Sequence, residues 1–175
     1  IEAIIVLGHT EFYPRFGFRH DLVRNIASPF TAHDAFMGLE LSPGATTLLA
    51  GAREAGAKTL LASGGFTHFT ERLRERLGFD MAVANVLEIH DGRLTGRVLG
   101  HVVDARGKAD AVAVMRRLHA ADGGIVAAIG DGANDLPMLY AADVSIAWHA
   151  KPIVRTQATH AIDHGGLDAV LNLFA

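Results

Sequence analysis

Cysteine is absent from the 175 residues, which excludes disulfides, thiolate zinc sites and cysteine nucleophiles together. Long apolar runs are missing as well: Ala3-Ile4-Ile5-Val6-Leu7 is far too short to span a bilayer. The opening residues also lack a basic stretch and a small-residue cleavage site, so they do not read as a signal peptide, and a cytoplasmic location is the expectation. Positive charge is not in excess, since 16 Lys and Arg against 19 Asp and Glu leave a net charge of −3. Neither nucleic acid nor an acidic membrane is therefore an expected partner. Internal repeats, low-complexity tracts and linkers rich in Pro, Ser and Gly are not found. What remains is half hydrophobic and one-fifth charged, the composition of a globular chain of about one domain.

From about Pro43 onward, apolar strands alternate with amphipathic helices, which predicts a doubly wound, Rossmann-like α/β fold with a parallel sheet. A helix is expected over 45–56 and a buried strand over 58–62, ending at Ser63-Gly64-Gly65, with a second helix over 66–77. Residues 80–103 break the alternation. Val83, Val86, Leu87 and Ile89, then Asp91-Gly92, then Leu94, Val98 and Val102 read as a small antiparallel hairpin. A helix near 107–120, a strand over 125–129, a turn at Gly130-Asp131-Gly132, a helix from Asn134 and a strand over 144–147 follow, with a closing helix over 167–174. The first forty residues are richer in aromatics, with strands expected at Ile4–Leu7 and Ala35–Leu41 and an aromatic turn over Glu11–Phe16.

In an open parallel sheet, functional groups gather at the loops leaving the carboxyl ends of the strands. Two such loops are polar and glycine-rich. Ser63-Gly64-Gly65 offers a hydroxyl and bare backbone N–H groups before a helix start, which suits a phosphate; it also reads as a plain strand-to-helix turn. In Gly130-Asp131-Gly132-Ala133-Asn134-Asp135, the two aspartates stand four apart, so a helix places both carboxylates on one side. They suit a hard cation such as Mg²⁺ or, equally, an N-cap with a polar first turn. Lys108, at the start of the intervening helix, is placed to neutralise phosphate charge or to be a solvated surface lysine.

Together these residues resemble the phosphoserine phosphatases of the haloacid dehalogenase superfamily. Leu60-Leu61-Ala62-Ser63-Gly64-Gly65-Phe66-Thr67 is similar to motif two of that family, and Lys108 to motif three. Gly130-Asp131-Gly132-Ala133-Asn134-Asp135 is similar to motif four. Asn85-Val86-Leu87-Glu88-Ile89 with Asp91-Gly92-Arg93-Leu94-Thr95-Gly96 looks like the family's hairpin, and Ala150-Lys151-Pro152 also fits. The resemblance implies that Ser63, Gly64 and Gly65 hold the phosphoryl group with Lys108 and Asn134, Ser63 and Lys108 counting as catalytic. It implies Mg²⁺ at Asp131 with Asp135 in support, and a small phosphorylated substrate, phosphoserine. The implied reaction is phosphomonoester hydrolysis through an aspartyl-phosphate, with metal and lysine stabilising the charge. These groups are expected to converge on one cleft.

The family's Asp-x-Asp, which supplies nucleophile and general acid/base, is found nowhere in the sequence, nor is the helical cap that selects serine. The nearest degenerate string is Ile4-Ile5-Val6-Leu7-Gly8-His9-Thr10, where His9 reads as a solvated turn residue. The expectation is a phosphatase that is inactive or severely impaired, each tenfold in rate being worth about 1.4 kcal/mol. A non-catalytic phosphate and Mg²⁺ module, or a chimera without selected function, are the alternatives.

Residues Val6 to Phe18 and Asp34 to Leu41 look like a late segment of GNAT acetyltransferases. That resemblance implies that Tyr13 corresponds to the tyrosine protonating the coenzyme A thiolate. The pyrophosphate-binding loop is missing, and Arg53-Glu54-Ala55-Gly56-Ala57-Lys58, the closest string, ends in the wrong residue. Residues 1–41 therefore read as a GNAT-like fragment serving in packing, not as an independent domain, and 42–175 as a truncated phosphatase domain. The two meet at Leu41-Ser42-Pro43-Gly44-Ala45, a string similar in both families. Exposed sheet edges would permit a homo-oligomer. Ile4–Leu7 is expected to insert between the strands near 58–62 and 125–129, with antiparallel pairing to 35–41 as the rival.

Overall fold

The computed structural model describes residues 3–7, 19–23, 36–119 and 123–174. It divides into two compact units, residues 1–43 and 44–175. In the first, β1 (Ala3–Leu7) pairs antiparallel with β2 (Phe36–Glu40), Ile5 opposite Gly38. A 3-10 turn at Asp21–Val23 lies between them in sequence. The expected insertion of Ile4–Leu7 is overturned, because β1 and β2 form a two-stranded sheet of their own. An antiparallel neighbour meets the ladder through one register, whereas insertion requires two parallel registers and a crossover. The aromatic segment Glu11–Phe16, with His9 and Tyr13, lies outside the described residues.

In the second unit, α1 (Ala45–Glu54) follows Pro43-Gly44, and its Ala- and Leu-rich run buries Leu49. The strand β3 (Leu60–Phe66) leads into α2 (Thr67–Leu77), which stops at Gly78 in the left-handed region at φ 76°. The expected hairpin is β4 (Met81–His90) and β5 (Arg93–Leu99), with His90 opposite Arg93. Between them Asp91 and Gly92 both take positive φ, 49° and 73°, as a two-residue turn with the right-handed strand twist requires. The helix α3 (Ala105–His119) buries Lys108, Ala111, Val112 and Met115. That is the i, i+3, i+4, i+7 stripe of an amphipathic helix, with a charge in its first place. The strand β6 (Ala127–Gly130) is followed by a 3-10 turn at Ala133–Asp135 and then α4 (Leu136–Ala141). The helix expected from Asn134 is thus split, with Pro137 in the first turn of its α-helical part, where a missing N–H costs nothing.

Four further elements differ from expectation. The strand expected to end before Ser63-Gly64-Gly65 runs through that triplet as a bulge. After β7 (Val144–Trp148), a short α5 (Pro152–Arg155) and β8 (His160–Ile162) add elements that the periodicity does not show. The closing segment is a 3-10 helix, Leu167–Leu173.

The α/β expectation holds, but the sheet is not one. The order β3-β4-β5 is mixed, with β3 parallel to β4 and β5 antiparallel, while β6-β7-β8 is all parallel. Among the described residues, β3 and β6 each have a partner on one side only. A shared apolar layer ties the sheets together: Val112 of α3 clusters with Ala128, Met138, Leu139, Ala147 and Val154, and Ala62 of β3 packs against them. Ile146 and Ala147 on the central β7 are fully buried. No helix among the described residues is long and apolar enough to cross a membrane.

Candidate functional site

The Asp loop is organised around Asp135. Its Oδ1 accepts a hydrogen bond from Lys108 Nζ at 2.7 Å, and the side chains are 11% and 7% exposed. Its Oδ2 accepts from the backbone N–H of Asp131 at 3.2 Å and of Gly132 at 3.1 Å. Burial by itself pushes the Asp135 carboxyl upward. The Lys108 ammonium and the two N–H donors outweigh it, so the net displacement is below the ordinary carboxylate value. The loop requires glycine at Gly130, whereas at Gly132 the exposed Asn134 side chain can turn aside. A Cβ on Gly130 would lie 2.6 Å from Asp135 Cβ, and one on Gly132 would lie 2.4 Å from Asn134 Oδ1. Asp131 is exposed, its carboxylate takes no hydrogen bond among the described residues, and its carbonyl accepts from the Lys151 N–H at 3.0 Å. Asn134 is exposed.

Ser63-Gly64-Gly65 occupies the bulge of β3, where three residues face Ala84 alone, between the pairs Ala62–Val83 and Phe66–Asn85. Ser63 Oγ accepts from the Gly65 N–H at 3.0 Å. That leaves the serine proton to donate outward but turns one of the amides expected to meet phosphate inward. The structure thus joins Lys108, Asp135 and the backbone of Asp131 and Gly132 in one network. Among the described residues, no hydrogen bond connects Ser63 to Asp131 or Asn134.

Two contributors escape the sequence reading. Asn85, 6% exposed, donates to the Gly64 carbonyl at 2.9 Å and accepts from the Val103 N–H at 2.8 Å. The available signal was an amide inside an otherwise apolar strand, since a buried polar side chain has to find partners. The Lys151 N–H is the other, and a backbone group leaves no trace in sequence.

The donor set bears on Mg²⁺. Among the described residues no three His, Asp or Glu side chains gather into a metal cluster. Both Asp135 oxygens are engaged, which leaves Asp131 as the carboxylate of the loop without a hydrogen bond among the described residues. An octahedral ion needs five further oxygens from phosphate, water or other carboxylates. These residues do not by themselves fit a complete Mg²⁺ site.

The chain has extensive likeness to known proteins. The model of the haloacid dehalogenase-like hydrolases matches residues 13–140. A Streptomyces coelicolor phosphoserine phosphatase is 50% identical over 138 residues, which make up 77% of this chain and 33% of that protein. The unliganded crystal structure of a Vibrio cholerae protein, titled a probable phosphoserine phosphatase, superposes with a TM-score of 0.72 at 44% identity, covering 76% of this chain and 41% of the other. A substrate-bound phosphoserine phosphatase complex superposes at 0.68 with 32% identity, covering 77% and 64%. The chain spans from one third to just under two thirds of the length of these relatives.

Proposed function

Since this chain belongs to the haloacid dehalogenase-like hydrolases, we propose that it carries the phosphate-binding half of a phosphoserine phosphatase-type site. Its ligand is the phosphate of a small phosphorylated molecule such as phosphoserine. The observation that carries this reading is the buried Lys108–Asp135 pair. Asp135 uses one of the three Lys108 N–H donors and leaves two for an anion. Ser63 adds a hydroxyl donor, Gly64 leaves room for close approach, and Asn134 supplies an exposed amide at the loop rim. The metal roles stay in this reading as the resemblance implies them, Asp131 as a ligand and Asp135 as its support. Mg²⁺ binds weakly without phosphate, because one carboxylate is a poor cage.

With no Asp-x-Asp in its 175 residues, this sequence lacks the carboxylate pair on which the resemblance rests the chemical step. We expect phosphoserine hydrolysis in Mg²⁺ to fall at least about a thousandfold below that of an intact relative, the loss of about 4 kcal/mol of barrier lowering. Release of inorganic phosphate is the measurement. Robust Mg²⁺-dependent turnover that vanishes in Asp131→Ala would overturn the impaired reading. Stabilisation by inorganic phosphate without turnover would favour a binding module.

For residues 1–41 the proposal is an acetyltransferase-like fragment, which the antiparallel pairing of Ile4–Leu7 with Phe36–Glu40 supports. Acetyl transfer from acetyl-coenzyme A is expected to be undetectable. The pairing of β3 and β6 on one side only among the described residues supports a homo-oligomer, which sedimentation across a concentration series tests.

A further inference from the structure

We infer that Asn85 is the positioning residue of the phosphate loop, locking the Ser63–Gly65 bulge to the backbone that launches the Lys108 helix; this rests on the phosphate-binding reading above. The bulge needs such a lock. Its three residues face one residue across the ladder, between Ala62–Val83 and Phe66–Asn85, so the regular ladder hydrogen bonds are lost there. Two of the three are glycines, with the widest backbone freedom of any residue. A hydroxyl and amides that must meet an anion together would be poorly aimed by a loose loop.

The Asn85 side chain replaces the missing bonds in two directions. Its Nδ2 donates to the Gly64 carbonyl at 2.9 Å, in the middle of the bulge. Its Oδ1 accepts from the Val103 N–H at 2.8 Å. The two partners fix which end of the amide is oxygen, because a carbonyl only accepts and an N–H only donates. Val103 is itself buried and stands two residues before α3 begins at Ala105. Asp104 Oδ1 then takes the N–H groups of Arg106 and Gly107, each at 2.9 Å, and Lys108 follows in the first turn. One side chain on β4 thus spans the two anion-facing groups that come from different elements. Asn85 touches no reacting atom in this account and acts through Gly64 and Val103.

The test uses the full chain with inorganic phosphate as probe, read by amide NMR titration and amide hydrogen exchange. Asn85→Asp keeps the acceptor for Val103 and removes the donor to Gly64, whereas Asn85→Ala removes both without adding charge. The expected result is faster exchange at Gly64 and Gly65 in both variants, retained Val103 protection in Asn85→Asp, and phosphate affinity lowered about tenfold in each. Unchanged Gly64 and Gly65 exchange and unchanged affinity, with only Val103 losing protection, would overturn the inference and leave Asn85 as a core amide. If Asn85→Ala fails to fold, Asn85→Asp decides by exchange at Gly64 and Gly65 alone, since its added carboxylate weakens anion binding whatever the loop does. If the unaltered chain binds no phosphate, the proposed function fails, while the exchange data still decide whether Asn85 orders the loop.

Discussion

Lys108 is the residue on which the site and the fold depend together. It holds the first place in the buried stripe of α3, where an apolar side chain would satisfy the pattern. A lysine is tolerated there because Asp135 meets its ammonium at 2.7 Å, and because Asp135 is held in turn by two backbone donors. Removing one partner of a buried pair leaves the other charge uncompensated, which is costlier than removing both. Lys108→Met is therefore expected to destabilise the fold by about 3 kcal/mol. The double variant Lys108→Met with Asp135→Leu should lose less in urea unfolding than the two single variants together, since Asp135→Leu also orphans the Asp131 and Gly132 N–H groups. Losses in Lys108→Met and Asp135→Leu that simply add in the double variant would show that the pair is not coupled. Sequence alone presented Lys108 with two readings, charge neutraliser or surface lysine, and could not show the burial that separates them.

At the scale of elements, the N-terminus of α3 controls where Lys108 points. Asp104 caps it with two hydrogen bonds to Arg106 and Gly107. Those bonds, the Gly107 one foremost, hold the Asp104 carboxyl below its ordinary value of 3.8. Asp104→Ala is expected to lower the midpoint of thermal denaturation measurably, with Asp104→Ser restoring most of the loss because serine also caps. Equal stability of all three proteins in thermal denaturation would remove the cap from the account. The hairpin turn was legible, since Asp91-Gly92 between apolar alternations permits few other structures, though β5 stops at Leu99 short of Val102 and β4 also pairs in parallel with β3. The bulge at Ser63–Gly65 was not, because a Ser-Gly-Gly string ends a strand as readily as it bends one. What decides is the neighbouring strand, where Asn85 supplies the bonds that the ladder lacks.

For the molecule as a whole, stability should depend on acid in a definable window. Asp80 is held at about 2 against an ordinary 3.8, foremost by the Lys58 hydrogen bond and then by the Thr59 N–H. Asp143, through Arg116 and the Val126 N–H, is displaced the same way, as are Asp104 and Asp135. A carboxyl whose pKa is lower in the folded state stabilises it fully above the unfolded value and loses that contribution as pH falls through the folded value. The midpoint of urea unfolding is therefore expected to be flat above about pH 5 and to fall steadily from about pH 4 to pH 2. Asp80→Asn should flatten part of that slope, and an unchanged slope would exclude the Lys58–Thr59–Asp80 clasp from it.

The sequence by itself determined the order of the main strands and helices from α1 to β7, the hairpin turn, and the Ser, Lys and Asp motifs that tie the chain to its family; the short α5 and β8 were not among them. These are local matters of periodicity, glycine placement and residue chemistry. Only the tertiary structure decided which backbone edges found partners. Ile4–Leu7 was apolar enough for a sheet centre, yet it pairs with Phe36–Glu40, and β3 and β6 end in separate sheets. An apolar run specifies burial and extension but not the strand beside it, because backbone N–H and C=O groups are identical along the chain.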